Sequence, residues 1–298
     1  MPTYGHNLEF GVFATPVAQP PMHAVEMAIA AENAGLDLVT YQDHPYQASF
    51  LDTWTLLAYA AAKTNRVRLA PNVANLPLRP PAVLARAAAS LDLLSGGRIE
   101  LGLGTGSFWD AIVAMGGHRL TPGQSIQALE EAIDIMRQIW NPDEKRGVRV
   151  DGEFYTVRGA RRGPKPAHVI PIWIGAYKPR ILRTTGRLAD GWIPSLGYLP
   201  EGPRSLAEMN RYIDEGAEQA GRDPSAIRRM LNINGQFAQQ GQGFLVGPPQ
   251  QWADQLAEVA MEYGISTFIV AADDTYTIEM FANEVVPATR ELVDRTPR

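Results

Sequence analysis

Eight times along this chain a short β-like run leads through a polar or glycine-rich turn into an amphipathic helix. The strand-like runs fall at 10–14, 38–41, 67–74, 99–103, 172–175, 191–195, 230–235 and 266–271. The helical stretches fall at 22–34, 52–63, 81–94, 108–115 with 125–140, 180–188, 206–220, 250–263 and 277–293. Eight βα units in 298 residues is the arithmetic of a (β/α)8 TIM barrel, an α/β fold whose active sites lie at the C-terminal ends of the strands. The rhythm breaks at about 141–170, where Pro, Gly and charge collect and "VRVDGEFYTV" reads as a hairpin turning at Asp151-Gly152. One barrel domain over 1–298 is expected, with this hairpin-containing insertion between the fourth helix and the fifth strand.

Composition removes several chemistries. A net charge of −5 gives no general attraction to nucleic acid. The absence of cysteine excludes disulfides and thiolate metal sites, and no pair among the five histidines has ligand spacing, so no metal is expected. No serine sits in a G-x-S-x-G elbow, and no strand carries a lysine suited to a Schiff base. No apolar run approaches the ~20 residues of a spanning helix. The opening "MPTYGHNLEF" has no signal-peptide character, so a cytoplasmic protein without membrane partners is expected.

The barrel arithmetic decides which polar residues matter. Phe13 and Thr15 close the first strand, and Asp43, His44 and Tyr46 follow the second. Asn72 and Asn75 lie around the end of the third; Ser195 follows the sixth, Asn234 and Gln236 the seventh, and Asp273 and Asp274 the eighth. The fourth strand runs into "GLGTGSFWD", whose Gly104, Thr105 and Gly106 precede Ser107, Trp109 and Asp110. Those glycines follow the fourth of eight strands, so they are no dinucleotide fingerprint, which belongs on a first strand. They make either a tight turn or a place where backbone approaches a ligand. Strand five ends in Gly175-Ala176, with Tyr177-Lys178-Pro179 opening a helix. Proline at the first helical position would leave the N–H groups of Ala176, Tyr177 and Lys178 free beside the cations of Lys178 and Arg180. That suits a phosphate, or a plain βα turn with two solvated cations. His44 is the one histidine at a strand end, placed to move a proton near neutral pH or to serve the scaffold. Trp109 and Trp192 fit a pocket wall or the core equally well.

Three pieces together resemble the luciferase-like monooxygenase superfamily: "AENAGLDLVTYQDHP", "RPPAVLARAAASLDLLSGGRIELGLGTG" and "PIWIGAYKPRILRTTGRLADGW". The resemblance runs over about 8–293 and is greatest to the branch using the deazaflavin coenzyme F420. It implies hydride transfer between F420 and a small organic substrate, with His44 as proton partner and Asp43, just before it, among the residues that touch the cofactor. It implies a bulged third strand with a non-prolyl cis peptide at Asn72-Val73 supporting the ring. Phosphate would lie on Gly175, Ala176, Tyr177 and Lys178. The glycines of Gly104-Thr105-Gly106 would make room for the flat ring, and Asp110 would touch the cofactor. Phe13, Ser107, Trp109 and Trp192 would face substrate. Sugar-phosphate dehydrogenases of this branch carry a glutamate directly after "GTG"; Ser107 stands there instead, which points to a less polar substrate. An FMN-dependent monooxygenase is the alternative within the superfamily. A cofactor-storing protein is a third reading, which would require Phe13, Trp109 and Trp192 to fill the space above the ring. Relatives of this kind are commonly homodimers, and the helix over 82–94 has apolar surface to offer.

Overall fold

A computed structural model describes residues 4–295; the ends of the expected domain, 1–3 and 296–298, lie outside the described residues. The order is β1 (Glu9–Ala14), α1 (His23–Asn33), β2 (Leu38–Tyr41), α2 (Thr53–Lys63), β3 (Arg68–Pro71), β4 (Ala74–Asn75), α3 (Pro81–Ser95), β5 (Leu101–Gly104), α4 (Trp109–Ala114) and α5 (Pro122–Trp140). It continues with β6 (Val148–Asp151), β7 (Thr156–Ala160), β8 (Ile172–Ile174), α6 (Pro179–Leu188), β9 (Gly191–Trp192), α7 (Ser205–Gln219) and β10 (Arg228–Ile233). The last elements are β11 (Gln236–Phe237), β12 (Val246–Gly247), α8 (Pro249–Tyr263), β13 (Thr267–Ala271), α9 (Thr275–Met280) and α10 (Val286–Arg295).

The main sheet runs β3-β2-β1-β13-β10-β9-β8-β5-β4, and its pairings are parallel. β3 and β4 are the two halves of the third barrel strand, broken at Asn72-Val73, whose peptide bond is cis. A parallel bridge between Leu69 and Ile99 joins the remaining edge. The result is the expected (β/α)8 barrel. Strands buried on both faces read as continuous apolar runs, and all four residues of β2 are buried. Leu38, Ala70, Trp173, Ile193, Met230 and Ile269 fill the barrel, with Phe13 and Val73 packed against them. The N-terminal end is closed by ions: Arg68 bridges Glu9 at 2.6 Å and Glu100 at 2.7 Å, and Arg228 reaches Glu9 at 3.2 Å. Among the described residues no helix is long and apolar enough to cross a membrane.

The "SGGR" run has a structural cause. Gly96 ends α3 in the left-handed conformation (φ +73°), and Gly97 follows at φ +87°. Arg98 then donates to the carbonyls of Ala61, Thr64 and Val67 at 2.7–3.0 Å, capping the end of α2 and fixing the α3–β5 turn to it.

Four expectations about local structure need correction. The hairpin does not turn at Asp151-Gly152 alone: residues 152–155 form a longer loop, because the Glu131 carboxylate accepts the N–H groups of Glu153, Phe154 and Tyr155, each at 2.9 Å. The sixth strand is regular only over Gly191–Trp192, since Pro194 has no N–H to donate to a ladder. A second interruption, the small β11–β12 pair, follows the seventh strand. The last helix is divided by a π-helical turn over Phe281–Val285.

Candidate active site

Phe13 and Val73, each half-buried, form the upper surface of the barrel interior at its C-terminal end. Asn72 and Asn232 meet there from opposite sides of the barrel. The Asn72 amide donates to Asn232 Oδ1 at 2.7 Å, and the Asn232 amide returns a bond to Asn72 Oδ1 at 3.2 Å. Thr40 accepts a further bond from Asn72, and Asn232 also donates to Ser195 Oγ, both at 3.2 Å. Buried amides are stable only when paired in this way. Asn232 is absent from the expected site, because nothing local on the seventh strand shows that it faces Asn72.

Asp43 is 1% exposed, and its oxygens are fully occupied. Arg79 grips it through Nε at 2.6 Å and Nη2 at 2.7 Å, and the Asn75 N–H adds a bond of 2.9 Å. Arg79 reaches on to Asp52 at 2.8 Å. Asp43 was expected to touch the cofactor; it is instead an anchor that fixes the β2 end to the segment after β4. Arg79, which the sequence did not point to, is the other half of that anchor.

His44 follows directly on the anchored aspartate. Its ring stacks on Tyr46 (centroids 5.3 Å, 19°) and meets the edge of Phe108 (5.4 Å, 71°). Among the described residues, no hydrogen bond reaches either ring nitrogen, so both are left for a ligand. Burial lowers the imidazole pKa below its ordinary value, against the opposing pull of Asp43.

The glycines after the fourth strand also serve the scaffold. A Cβ on Gly104 would lie 2.6 Å from Val73 Cγ2, and one on Gly102 would collide with the Pro71 carbonyl oxygen. They make room for the bulged third strand itself. Gly106, at φ +97°, lets the chain turn against Pro77 and Trp109. Thr105 is half-buried and Ser107 exposed at the rim. Trp109 is half-buried over Gly106. The Asp110 side chain is fully exposed and ion-paired with Arg119.

After β8, the Gly175 N–H is spent on the Leu103 carbonyl at 3.3 Å, so only the next residues are free to form a cradle. The Tyr177 hydroxyl accepts the Ser195 N–H at 2.8 Å and its ring meets Tyr198 edge-on, which ties the turn to the sixth strand. Lys178 occupies the N-cap of α6, with no side-chain cap, and Pro179 begins the helix. Lys178 and Arg180 are exposed and, among the described residues, make no ion pair. Trp192 is not a substrate wall: it is 0% exposed, and its Nε1 donates to the Ala176 carbonyl at 2.9 Å, fixing the cradle from beneath. Asn75 is 7% exposed, and its Oδ1 is buried with no partner. An orphaned oxygen of this kind beside His44 and the fourth-strand loop is suited to a ligand donor.

Comparison with known proteins adds three findings. The family model described as luciferase-like monooxygenase matches residues 4–239. An F420-dependent glucose-6-phosphate dehydrogenase of Gordonia bronchialis is 36% identical over 237 residues, covering 76% of this chain and 68% of that protein; one of Kribbella flavida is 33% identical over 236 residues, with the same coverage. Among solved structures, an F420-dependent secondary alcohol dehydrogenase in complex with an F420-acetone adduct aligns with a TM-score of 0.83 at 21% identity, over 95% of this chain and 99% of that one. A long-chain alkane monooxygenase aligns with a TM-score of 0.82 at 14% identity, over 96% and 92%. At such identities the structural matches speak for the fold.

Proposed function

Because the chain belongs to the luciferase-like monooxygenase family, we propose that the mouth of its barrel binds coenzyme F420 and that the protein is an oxidoreductase transferring hydride between F420 and a small organic substrate. The observation that carries this reading is the pairing of two features at one end of the barrel. An imidazole with both nitrogens unclaimed follows the second strand, and an uncapped, cationic helix N-terminus follows the fifth. That arrangement suits a ligand with a flat redox head and an anionic tail. The unpartnered Asn75 Oδ1 adds an acceptor for a ring N–H donor. The site thus fits the group.

When bound, the deazaflavin supplies the hydride acceptor or donor. The chain supplies the rest. The N–H groups of Ala176, Tyr177 and Lys178, with the cations of Lys178 and Arg180, hold phosphate. Phe13 and Val73 support the ring, and Gly104, Thr105 and Gly106 border its other side. His44 takes the hydroxyl proton when an alcohol is oxidised and returns it in the reverse direction. The Asp43–Arg79 anchor keeps the segment carrying His44 in place. One barrel domain, a cytoplasmic location and a homodimer complete the proposal. For the dimer, a second copy would cover the outer faces of α2 and α3, where Tyr59, Val83 and Leu94 are exposed.

Anaerobic incubation with oxidised F420 and a panel of alcohols tests the function: bleaching of the deazaflavin absorbance with at least one of them supports it, and no reaction in either direction contradicts it. Lys178→Glu should weaken F420 binding by about tenfold, read by fluorescence quenching, as loss and reversal of one charge contact with phosphate implies. For the cofactor-loaded enzyme, the acid limb of kcat/KM in alcohol oxidation should lie below 6.5, the ordinary imidazole value, because burial disfavours the protonated ring. A limb above that value contradicts the assignment of His44. Leu94→Lys should shift light-scattering mass from dimer to monomer at micromolar concentration, and an unchanged dimer would place the interface elsewhere.

A further inference from the structure

Tyr46, His44 and Phe108 form a closed set of rings, the third contact being Tyr46–Phe108 at 6.0 Å and 58°. Among the described residues no hydrogen bond reaches either nitrogen, and the imidazole ring packs against these two rings. Phe108 is 52% exposed, on the loop that directly follows Gly106-Ser107. A large apolar ring kept in water at the lip of a pocket costs solvation, and such exposure marks a binding surface. The same rim continues along α4, which exposes Val113 and ends at exposed Met115, and across the mouth Tyr198 is exposed against Tyr177. Two of the carboxylates nearby are ion-paired, Asp43 with Arg79 and Asp110 with Arg119, and Asp273 accepts two hydrogen bonds of 2.7 Å from Thr15. Of the cations placed at the strand ends, Lys178 and Arg180 make no ion pair among the described residues and belong to the cradle after the fifth strand, while Arg79 and Arg119 are each paired with a carboxylate.

We propose that Tyr46 and Phe108 clamp His44 and make the wall that admits a neutral, weakly polar alcohol–carbonyl pair and turns away charged or phosphorylated substrates. The proposal rests on the F420 reading and deepens it. Tyr46 acts through His44 as a positioning residue; Phe108 both positions the imidazole and touches substrate. In the reaction so selected, the substrate C–H bond breaks with its electron pair passing to the oxidised deazaflavin, the O–H bond breaks with its proton passing to His44, and the C=O bond forms. A phosphorylated substrate would have to bring its dianion against three aromatic rings without a counter-charge, which is strongly unfavourable. Burial by the rings also disfavours the imidazolium; Asp43 and Tyr46 are the titratable groups beside it, and Asp43 pulls the other way.

The test uses the full chain with F420, cyclohexanol as the neutral probe and glucose 6-phosphate as the charged one. Wild type should favour cyclohexanol by more than about 100-fold in kcat/KM, a ratio within reach of a pocket that leaves a charge unpaired. Phe108→Ala should raise KM for cyclohexanol by about tenfold and lower kcat as well, since it removes both apolar binding and one side of the clamp on the proton acceptor. Phe108→Arg should narrow the preference. Equal or better use of glucose 6-phosphate by wild type, or an unchanged KM in Phe108→Ala, would overturn the proposal. Two readouts do not need turnover. In the cofactor-free protein, cyclohexanol should shift the His44 imidazole resonances in wild type but not in Phe108→Ala. Tyr46→Ala should move the His44 titration midpoint toward the ordinary value of 6.5. Absence of both changes overturns the clamp whether or not F420 binds. If wild type fails to bind F420 by fluorescence quenching yet shows both changes, the clamp stands and the cofactor reading fails.

Discussion

His44→Ala is expected to lower kcat for hydride transfer by about 10²–10⁴-fold, the contribution of a positioned general acid or base. The affinity for F420 should stay within about threefold, since the residues proposed to hold the phosphate belong to a different strand end. The separation of the two effects is the point of the experiment. His44 is bound to the scaffold only through its backbone and two aromatic neighbours, so its removal leaves the Asp43 anchor intact. His44→Gln keeps polarity but cannot exchange a proton near neutral pH, and it should be nearly as impaired as the alanine variant. A variant with full turnover would remove the imidazole from the reaction. A variant that loses cofactor binding instead would make His44 a structural residue of the mouth.

The second large effect concerns a residue far from any expected role. Arg79→Ala strands the Asp43 carboxylate, which is 1% exposed, with the Asn75 N–H as its remaining partner. An uncompensated buried charge costs about 3–5 kcal/mol, so the melting temperature should fall by roughly 5–8 °C for a chain of this size. Arg79→Lys should lie between the two, because an ammonium keeps the charge and cannot span both carboxylate oxygens in the same way. The alanine variant should also lose turnover, since the anchored segment carries His44. A stability loss under about 1 kcal/mol would show that Asp43 finds water or another donor, and that the anchor is weaker than its geometry implies.

The barrel was legible because its signal is periodic. Strands buried on both faces must be short apolar runs, and helices that cover them must be amphipathic, so eight alternations leave little choice of fold. The cis Asn72-Val73 bond and the turn at Ala176–Lys178 were legible through short runs shared with a known family. What stayed hidden depends on tertiary neighbours. Nothing near Asp43 in sequence announces Arg79, 36 positions on, and nothing near Asn72 announces Asn232, 160 positions on. Gly104 shows that a close approach legible in the sequence can have a partner that is not: the space its missing Cβ leaves is taken by Val73. Trp192 illustrates the same limit. A tryptophan at a strand end is compatible with either side of the sheet, and its indole N–H found the Ala176 carbonyl on the buried side. The ion pair of Asp110 with Arg119, nine positions on, was likewise not visible in the sequence.

The barrel mouth is proposed to hold a deazaflavin by its phosphate at the turn after the fifth strand. Parallel titration of the cofactor-free protein with oxidised F420 and with FMN, followed by fluorescence quenching, bears on it most directly. The expected result is saturable F420 binding at least about tenfold tighter than FMN, weakened when Lys178 is replaced by glutamate. Tighter binding of FMN, or F420 binding indifferent to the charge at position 178, would contradict it.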